Sequence, residues 1–318
     1  MWNKYPEILA ELIEVDQLIK TNINSRNKLL SDTAEKLIEA GGKRLRPAFV
    51  ILAAKFGNYQ REKVLHMAGA IEILHTATLV HDDIIDKSPM RRGLSTVASS
   101  YGVDMAVYVG DFLYTRAIMM LSKEIPVENL EMIARALKAI CEGEVDQYEA
   151  RFKINTSIVS YLKRISRKTA VLFSAACAAG AFLADVEKET VKKISKFGYY
   201  FGMAFQIRDD IKDFSSNEQK EGKPVRNDLQ QGDITLPVIY ALRENLRNDK
   251  AMSLFTDNGL INHKDIDKLG AVVKKSKGIA RTNKMLNKYI KRGRKVLNEI
   301  PDNKYRTIMM ELLNSLNV

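Results

Sequence analysis

Cysteine is nearly absent from this 318-residue chain. There are two, Cys141 and Cys177, far apart and without the paired spacing of a metal knuckle. That excludes a disulfide framework and fits a reducing cytoplasm. Proline (7) and glycine (17) are scarce as well, which argues against a sheet-rich fold full of tight turns. Strict alternation of apolar and polar residues is hard to find anywhere. No uninterrupted apolar run reaches the ~18 residues of a membrane span. The opening MWNKYPEILAELIEVDQLIK has neither the basic start nor the apolar run of a signal peptide. The expectation is a soluble, cytoplasmic protein that can still touch a membrane.

What is present is a helical period. Ile8, Leu9, Leu12, Ile13 and Val15 form one apolar stripe, and Val64, Ala68, Ile71, Leu74, Thr78 and Leu79 form a longer one. Residues 127–150, 157–184, 187–214 and the tail from Asp265 read the same way. Spacing by three and four is the mark of the α-helix, so the chain reads as all-α, one domain over residues 1–318. Gly41-Gly42 ends one helix, Pro47 lies near the start of the next, and Ser88-Pro89 stops the long helix after Asp86. Residues 215–234 are the one extended polar stretch, long enough to suggest a lid or binding loop.

The formal net charge of +11 points to an anionic partner: a phosphate-bearing substrate, nucleic acid or a lipid surface. Ten basic residues and no acid fall between Lys274 and Lys295, with Lys277, Arg281, Lys284, Lys288, Lys291 and Lys295 on one helical face. The plain reading is a solvated face. The sharper one is contact with an anionic membrane or an acidic partner.

Acid is concentrated in two places. Asp82, Asp83 and Asp86 lie at i, i+1 and i+4 in LVHDDIID, at the end of an apolar helix. Residues four apart share a helical face, about one turn (~5.4 Å) apart. Three carboxylates in an apolar surround repel one another unless a cation joins them. Mg²⁺ takes oxygen ligands, commonly one or two carboxylates plus substrate phosphates. One such motif reads equally well as a solvated acidic patch. The same spacing returns at Asp209, Asp210 and Asp213, 127 residues on, after Phe197, Phe201, Phe205 and Ile207. The repeat favours metal, with two helices closing a cage around Mg²⁺ and a diphosphate.

Basic residues complete the pattern. GGKRLRP places Lys43 and Arg46 at a turn that opens a helix, where backbone donors favour an anion. Arg91 and Arg92 follow the first aspartates, and guanidinium forks suit phosphate oxygens. Lys168-Thr169 sets a cation and a hydroxyl on an apolar helix. His75 lies seven residues before Asp82, on roughly the same face. A core histidine and a phosphate contact are both open for it; His66 and His81 read as structural.

With these motifs in this order, the chain resembles the trans-isoprenyl diphosphate synthases, the polyprenyl synthetase family, over nearly its whole length. The resemblance rests on GGKRLRP (41–47), HDDIID and RRG (81–93), the KT pair (168–169), FQIRDDIKD (205–213) and GKP (222–224). It implies a bundle of ten or more helices around a deep central cavity, usually a dimer. It further implies that Asp82, Asp83, Asp86, Asp209, Asp210 and Asp213 bind about three Mg²⁺ ions with substrate present. Arg91, Lys168 and Lys223 would hold the allylic diphosphate, and Lys43, Arg46, His75 and Arg92 isopentenyl diphosphate. Thr169 and Gln206 would line the reacting centre. Asp82, Asp86, Arg91, Lys168 and Asp209 would be the catalytic residues. No side-chain nucleophile is required, because the allylic C–O bond ionises as the diphosphate is stabilised.

Product length is read from the helix above the first motif. Short-chain members of the family often carry an aromatic residue there as a floor; this chain has Ala77 and Thr78, with small Ala70 deeper and Ile73 and Leu74 between. That implies more than three isoprene units, starting from farnesyl diphosphate. The chain looks most like the catalytic component of bacterial hexaprenyl or heptaprenyl synthases, which work with a small second subunit and serve the menaquinone side chain. Two positions depart from the family pattern: Asp233 stands where GKxTxP has lysine, and Lys212 where an aliphatic residue is usual. Competing readings are a geranylgeranyl diphosphate synthase, a terpene cyclase and a non-catalytic partner subunit. The second aspartate motif and Lys43/Arg46 argue against the cyclase, and the retained aspartates and arginines against the inert subunit. Nucleic acid would account for +11 but not for six aspartates at matched spacing, and no stacking aromatics accompany the basic face.

Overall fold

A computed structural model describes residues 1–124, 127–153, 156–215, 227–245 and 265–317. These residues are all-α apart from connections and one short hairpin, Met90–Arg91 paired with Leu94–Ser95. They form two compact units: Met1–Ala134 with Ala175–Ser195 and Asn303–Tyr305, and Arg135–Ser174 with Lys196–Asp302 and Arg306–Val318.

In the first unit, α1 (Pro6–Asn22) starts on proline, whose fixed φ suits a first helical position. Its buried stripe is Ile8, Leu12, Val15 and Ile19, while Ile13, read from the sequence as part of the stripe, is 51% exposed. The side chain of Asn27 accepts from Leu30 N and caps α2 (Lys28–Glu39). The next helix, α3 (Leu45–Ala54), is buried at every residue except Arg46. Each large apolar side chain buried there contributes about 1.5–3 kcal/mol. After α3 come α4 (Arg61–Ile85), the hairpin, α5 (Val97–Tyr101) and α6 (Val103–Glu124). At Gly110, α6 makes room for α4: a Cβ there would stand 2.1 Å from His81 Nε2.

Arg44 ties this unit together. It precedes α3 with left-handed backbone, φ +47°. Its guanidinium donates to Asp16 at 2.8 Å, Glu72 at 3.0 Å and the Ile38 carbonyl at 2.7 Å. Losing one partner of such a buried pair costs about 3–5 kcal/mol.

Residues 127–150 form α7 (Val127–Ala150), as the periodicity predicts. The stretch 157–184 is α8 (Ile158–Ile165) and α9 (Val171–Leu183) joined through one π turn, Ser166–Ala170. Next is α10 (Lys188–Ser215). The polar stretch after it contains a short helix, α11 (Asn227–Gln230), and residues 216–226 lie outside the described residues. Then follow α12 (Leu236–Asn245), α13 (Ile266–Lys275), α14 (Gly278–Leu297) and α15 (Lys304–Asn314). Phenylalanines fill the second unit, Phe173 meeting Phe201 at 5.3 Å and Phe205 at 5.7 Å between ring centroids. Among the described residues, no helix is long and apolar enough to cross a membrane.

Candidate active site

Both aspartate sets stand in the closing turns of long helices. Asp82 and Asp83 are in the last turn of α4 and Asp86 caps it. Asp209, Asp210 and Asp213 occupy the last two turns of α10. A helix C-terminus carries partial negative charge and disfavours acids, so neither set serves its own helix.

In the first unit Asp82 and Asp86 are half-buried and Asp83 is buried. The hairpin accounts for Asp83. Arg92 and Gly93 take φ +53° and +80° as the two central residues of its turn, the geometry of type I′. On the strand before the turn, Arg91 donates from Nε to Asp83 Oδ1 at 2.6 Å. Burial raises the Asp83 pKa although Arg91 pulls it down. Thr96 fastens the hairpin's far end, donating to the Ser88 carbonyl at 2.8 Å and accepting from Ser99 N at 3.1 Å.

Arg92 lies against Gly42, where a Cβ would stand 2.9 Å from its Nη2. Trp2, the chain's one tryptophan, donates Nε1 to the Lys43 carbonyl at 2.7 Å and pins the same glycine loop. The Lys43 side chain is exposed. His75 completes the cluster: burial, then the charges of Arg46, Arg92, Arg91 and Arg44, hold its pKa well below the ordinary value. It is therefore neutral at pH 7, a hydrogen-bonding group among guanidinium ions. Arg44 answers two carboxylates and Arg91 one, and with Arg46, Arg92 and His75 they make one cluster of positive charge and hydrogen-bonding groups that suits an anion. Arg91 and Arg92 also line a cavity of about 310 Å³ with Leu37, Thr76, Val80 and Tyr101.

In the second unit Asp210 is 1% exposed and accepts from Tyr161 Oη at 2.5 Å and Gln206 Nε2 at 3.0 Å. Burial pushes its pKa up to about 7. The Gln206 Oε1 accepts from Thr169 Oγ1 at 2.9 Å. Thr169 and Lys168 both stand in the π turn, a local widening that often marks functional positions. Lys168 Nζ reaches Glu144 Oε2 at 2.8 Å, and Arg167 reaches Asp146 at 2.8 Å and Glu142 at 3.2 Å. Lys212 is half-buried on α10. Lys223 lies outside the described residues.

Sequence reasoning missed Asp228. On α11, its pKa is raised well above normal by burial and by Asp213, Asp210, Asp233 and Asp209. Asp233 accepts from Gln147 Nε2 at 2.7 Å and is itself buried. The second set thus gathers five carboxylates, four of them around Asp228. Asp228 follows Asp210 by 18 residues in the polar stretch, a signal of residue type without a spacing rule.

The donors in both units are carboxylate oxygens, the ligands a hard divalent cation prefers. Their repulsion, burial and position at helix C-termini would all be relieved by one. Among the described residues no three His, Cys, Asp or Glu side chains are placed to hold an ion by themselves. By donor type, the carboxylates fit a hard divalent cation such as Mg²⁺.

Above the first set, Ala77 and Ala70 are fully buried. Thr78 is half-buried, its hydroxyl donating to the His75 carbonyl at 2.7 Å. Ala77 lies four residues before His81, hence on the face that meets α6 at Gly110. Its small size therefore also serves close packing of two helices.

The profile of the Polyprenyl synthetase family matches residues 27–273. Heptaprenyl diphosphate synthase component 2 of Geobacillus stearothermophilus is 34% identical over 311 residues, 97% of this chain and 95% of that one. The crystal structure of heptaprenyl diphosphate synthase from Staphylococcus aureus matches with a TM-score of 0.92 and 34% identity, covering 98% of each chain. That of geranylgeranyl pyrophosphate synthase from Lactobacillus brevis matches with a TM-score of 0.90 and 29% identity, covering 99% of this chain and 98% of that one.

Proposed function

We propose, from the premise that the chain belongs to the polyprenyl synthetase family, that it extends an allylic diphosphate with isopentenyl diphosphate into a long all-trans polyprenyl diphosphate, heptaprenyl in length. The observation that carries this reading is the pairing, within one unit, of carboxylates at the end of α4 with a cluster of arginines around neutral His75. One group suits a diphosphate through metal, the other a diphosphate bound directly. Members of this family work with a divalent metal.

Asp82, Asp83, Asp86, Asp209, Asp210 and Asp213 are the groups that would hold Mg²⁺, about three ions with substrate bound. A metal held there would supply charge neutralisation for the departing diphosphate. Arg91 and Lys168 hold that diphosphate, and Lys223 shares the task. Each of the first two is already steadied by a carboxylate, Asp83 and Glu144, so less side-chain freedom is lost when phosphate arrives. Lys43, Arg46, Arg92 and His75 hold isopentenyl diphosphate, His75 as a neutral hydrogen-bond donor. Gln206, bonded on both sides by Thr169 and Asp210, presents a fixed amide to the reacting centre.

Ala77 leaves no aromatic floor, and relatives named for heptaprenyl products support the length. The name component 2 supports a small second subunit, and the alternative is a homodimer. Either assembly would cover the exposed Val107, Tyr108, Ile118 and Met119 of α6. A heptaprenyl product would supply the menaquinone side chain, from a cytoplasmic enzyme that meets the membrane peripherally.

The test is to incubate the chain with farnesyl diphosphate, labelled isopentenyl diphosphate and Mg²⁺, with and without a small second subunit, and size the products. A 35-carbon product is expected, shortened by Ala77→Phe. Products no longer than 20 carbons with the partner present would replace this reading with a geranylgeranyl diphosphate synthase, the activity named for the Lactobacillus brevis enzyme.

A further inference from the structure

We propose that the outward face of α14 is a docking surface for an anionic lipid membrane. The face is built from Lys277, Arg281, Lys284, Lys288, Lys291 and Lys295, and all six are exposed. At 100° per residue they fall within an arc of about 80°, in a straight stripe about 27 Å long. The opposite side of the helix, Leu286, Tyr289, Ile290, Val296 and Leu297, is buried in the second unit.

Three observations separate this stripe from an ordinary solvated face. First, no acid occurs from Lys268 to Asn298, so the charges stand without the alternating signs that stabilise exposed helices. Second, among the described residues none of the six side chains makes a hydrogen bond or ion pair, whereas Arg292 and Arg294 beside them are engaged with Tyr289 and Asn314. Third, five of the six are lysine. Lysine is a flexible point charge suited to a diffuse anionic field, and arginine is the residue of forked, site-specific recognition.

Because the apolar side is buried in the core, α14 cannot roll and insert. Attachment is electrostatic, reversible and weakened by salt. A nucleic acid is disfavoured, since the stripe carries no aromatic side chain for base stacking. The proposal rests on the prenyl-elongating reading in one respect: a product with a long apolar tail leaves for lipid rather than water, and a basic face brings its producer there.

The experiment is co-sedimentation of the full chain with vesicles of phosphatidylcholine alone and of phosphatidylcholine with phosphatidylglycerol. The variant combines Lys284→Gln, Lys288→Gln, Lys291→Gln and Lys295→Gln. The wild type is expected to pellet only with anionic vesicles and to be released by added salt, the variant to bind about tenfold or more weakly. Elongation of farnesyl diphosphate in detergent and the melting temperature should be the same in both proteins. Equal binding to neutral vesicles, no binding, or a variant that binds like the wild type would overturn the proposal. So would a duplex RNA that displaces the protein from vesicles at equal phosphate concentration, which would assign the face to nucleic acid. If the wild type binds vesicles and does not elongate, the enzymatic reading falls and the docking surface stands.

Discussion

The two aspartate sets have the same spacing and the same place at the end of a long helix, yet their middle residues are held by opposite means. Asp83 is 4% exposed and answered by the cation of Arg91 at 2.6 Å. Asp210 is 1% exposed and takes hydrogen bonds from two neutral donors, Tyr161 and Gln206, while the charge of Arg164 draws its pKa down and that of Asp209 pushes it up. The first set is partly neutralised by the protein itself. In the second, hydrogen bonds from neutral groups hold the middle carboxylate. Like spacing in sequence therefore hides unlike electrostatics.

The harshest way to break the comparison is to remove an outer carboxylate from each set. Asp82→Ala and Asp209→Ala are each expected to lower kcat by about 10³-fold or more, with unchanged circular dichroism. Activity within tenfold of wild type in either variant would remove that residue from the metal site. The next effect separates a charged clamp from a neutral one. Arg91→Gln leaves Asp83 buried without its counter-charge, at about 3–5 kcal/mol of stability. Tyr161→Phe removes one neutral donor from Asp210, at about 1–3 kcal/mol. Urea unfolding of the metal-free variants measures both, and the reverse order would contradict the contrast between the two sets.

The pH dependence follows from Asp210. Its pKa of about 7 in the fold lies above the ~3.9 of an unfolded aspartate. Between these values the folded state keeps a proton that the unfolded chain has lost. The Asp210 contribution to stability is thus present below about pH 4 and is lost as pH rises through about 7 in metal-free protein. A metal ion needs the ionised carboxylate, so its binding should weaken about tenfold for each pH unit below 7. The rise in melting temperature on adding Mg²⁺ should be larger at high pH than at low, and Asp210→Asn should flatten that dependence. An equal Mg²⁺ effect at both ends would show that Asp210 is not a ligand.

Much of this was legible from residue order. Periodicity located α7 and α10 almost to the residue, and Ser88-Pro89 marked the end of α4 because proline disfavours helix before it. The hairpin at Met90–Ser95 was not legible, since two-residue strands have no alternation to detect. Nor was the π turn: inserting one residue into a helical ladder leaves the apolar pattern of 157–184 nearly intact. In GGKRLRP, composition shows three basic residues and not which one is buried. Arg44 turns out to be the structural one because Asp16 and Glu72, distant in sequence, converge on it. Asp228 escaped for the same reason, its neighbours being set by the fold rather than by spacing.

The smallest effect sharpens the comparison most finely. Asp233 accepts from Gln147 through Oδ2 at 2.7 Å, and asparagine keeps an oxygen able to accept that bond. Asp233→Asn therefore removes one negative charge from the second set and keeps that bond. Without metal, at a pH where the cluster is ionised, the variant should be more stable by about 1 kcal/mol or less, since a like charge leaves a buried group. The Asp228 pKa should move down toward the ordinary aspartate value, followed by NMR titration. With Mg²⁺ the gain should reverse, affinity falling by less than tenfold, because a weaker field draws the cation less strongly. A variant less stable than wild type without metal would mean that the Asp233 charge has a positive counterpart that outweighs its carboxylate neighbours, and the second set would then resemble the first.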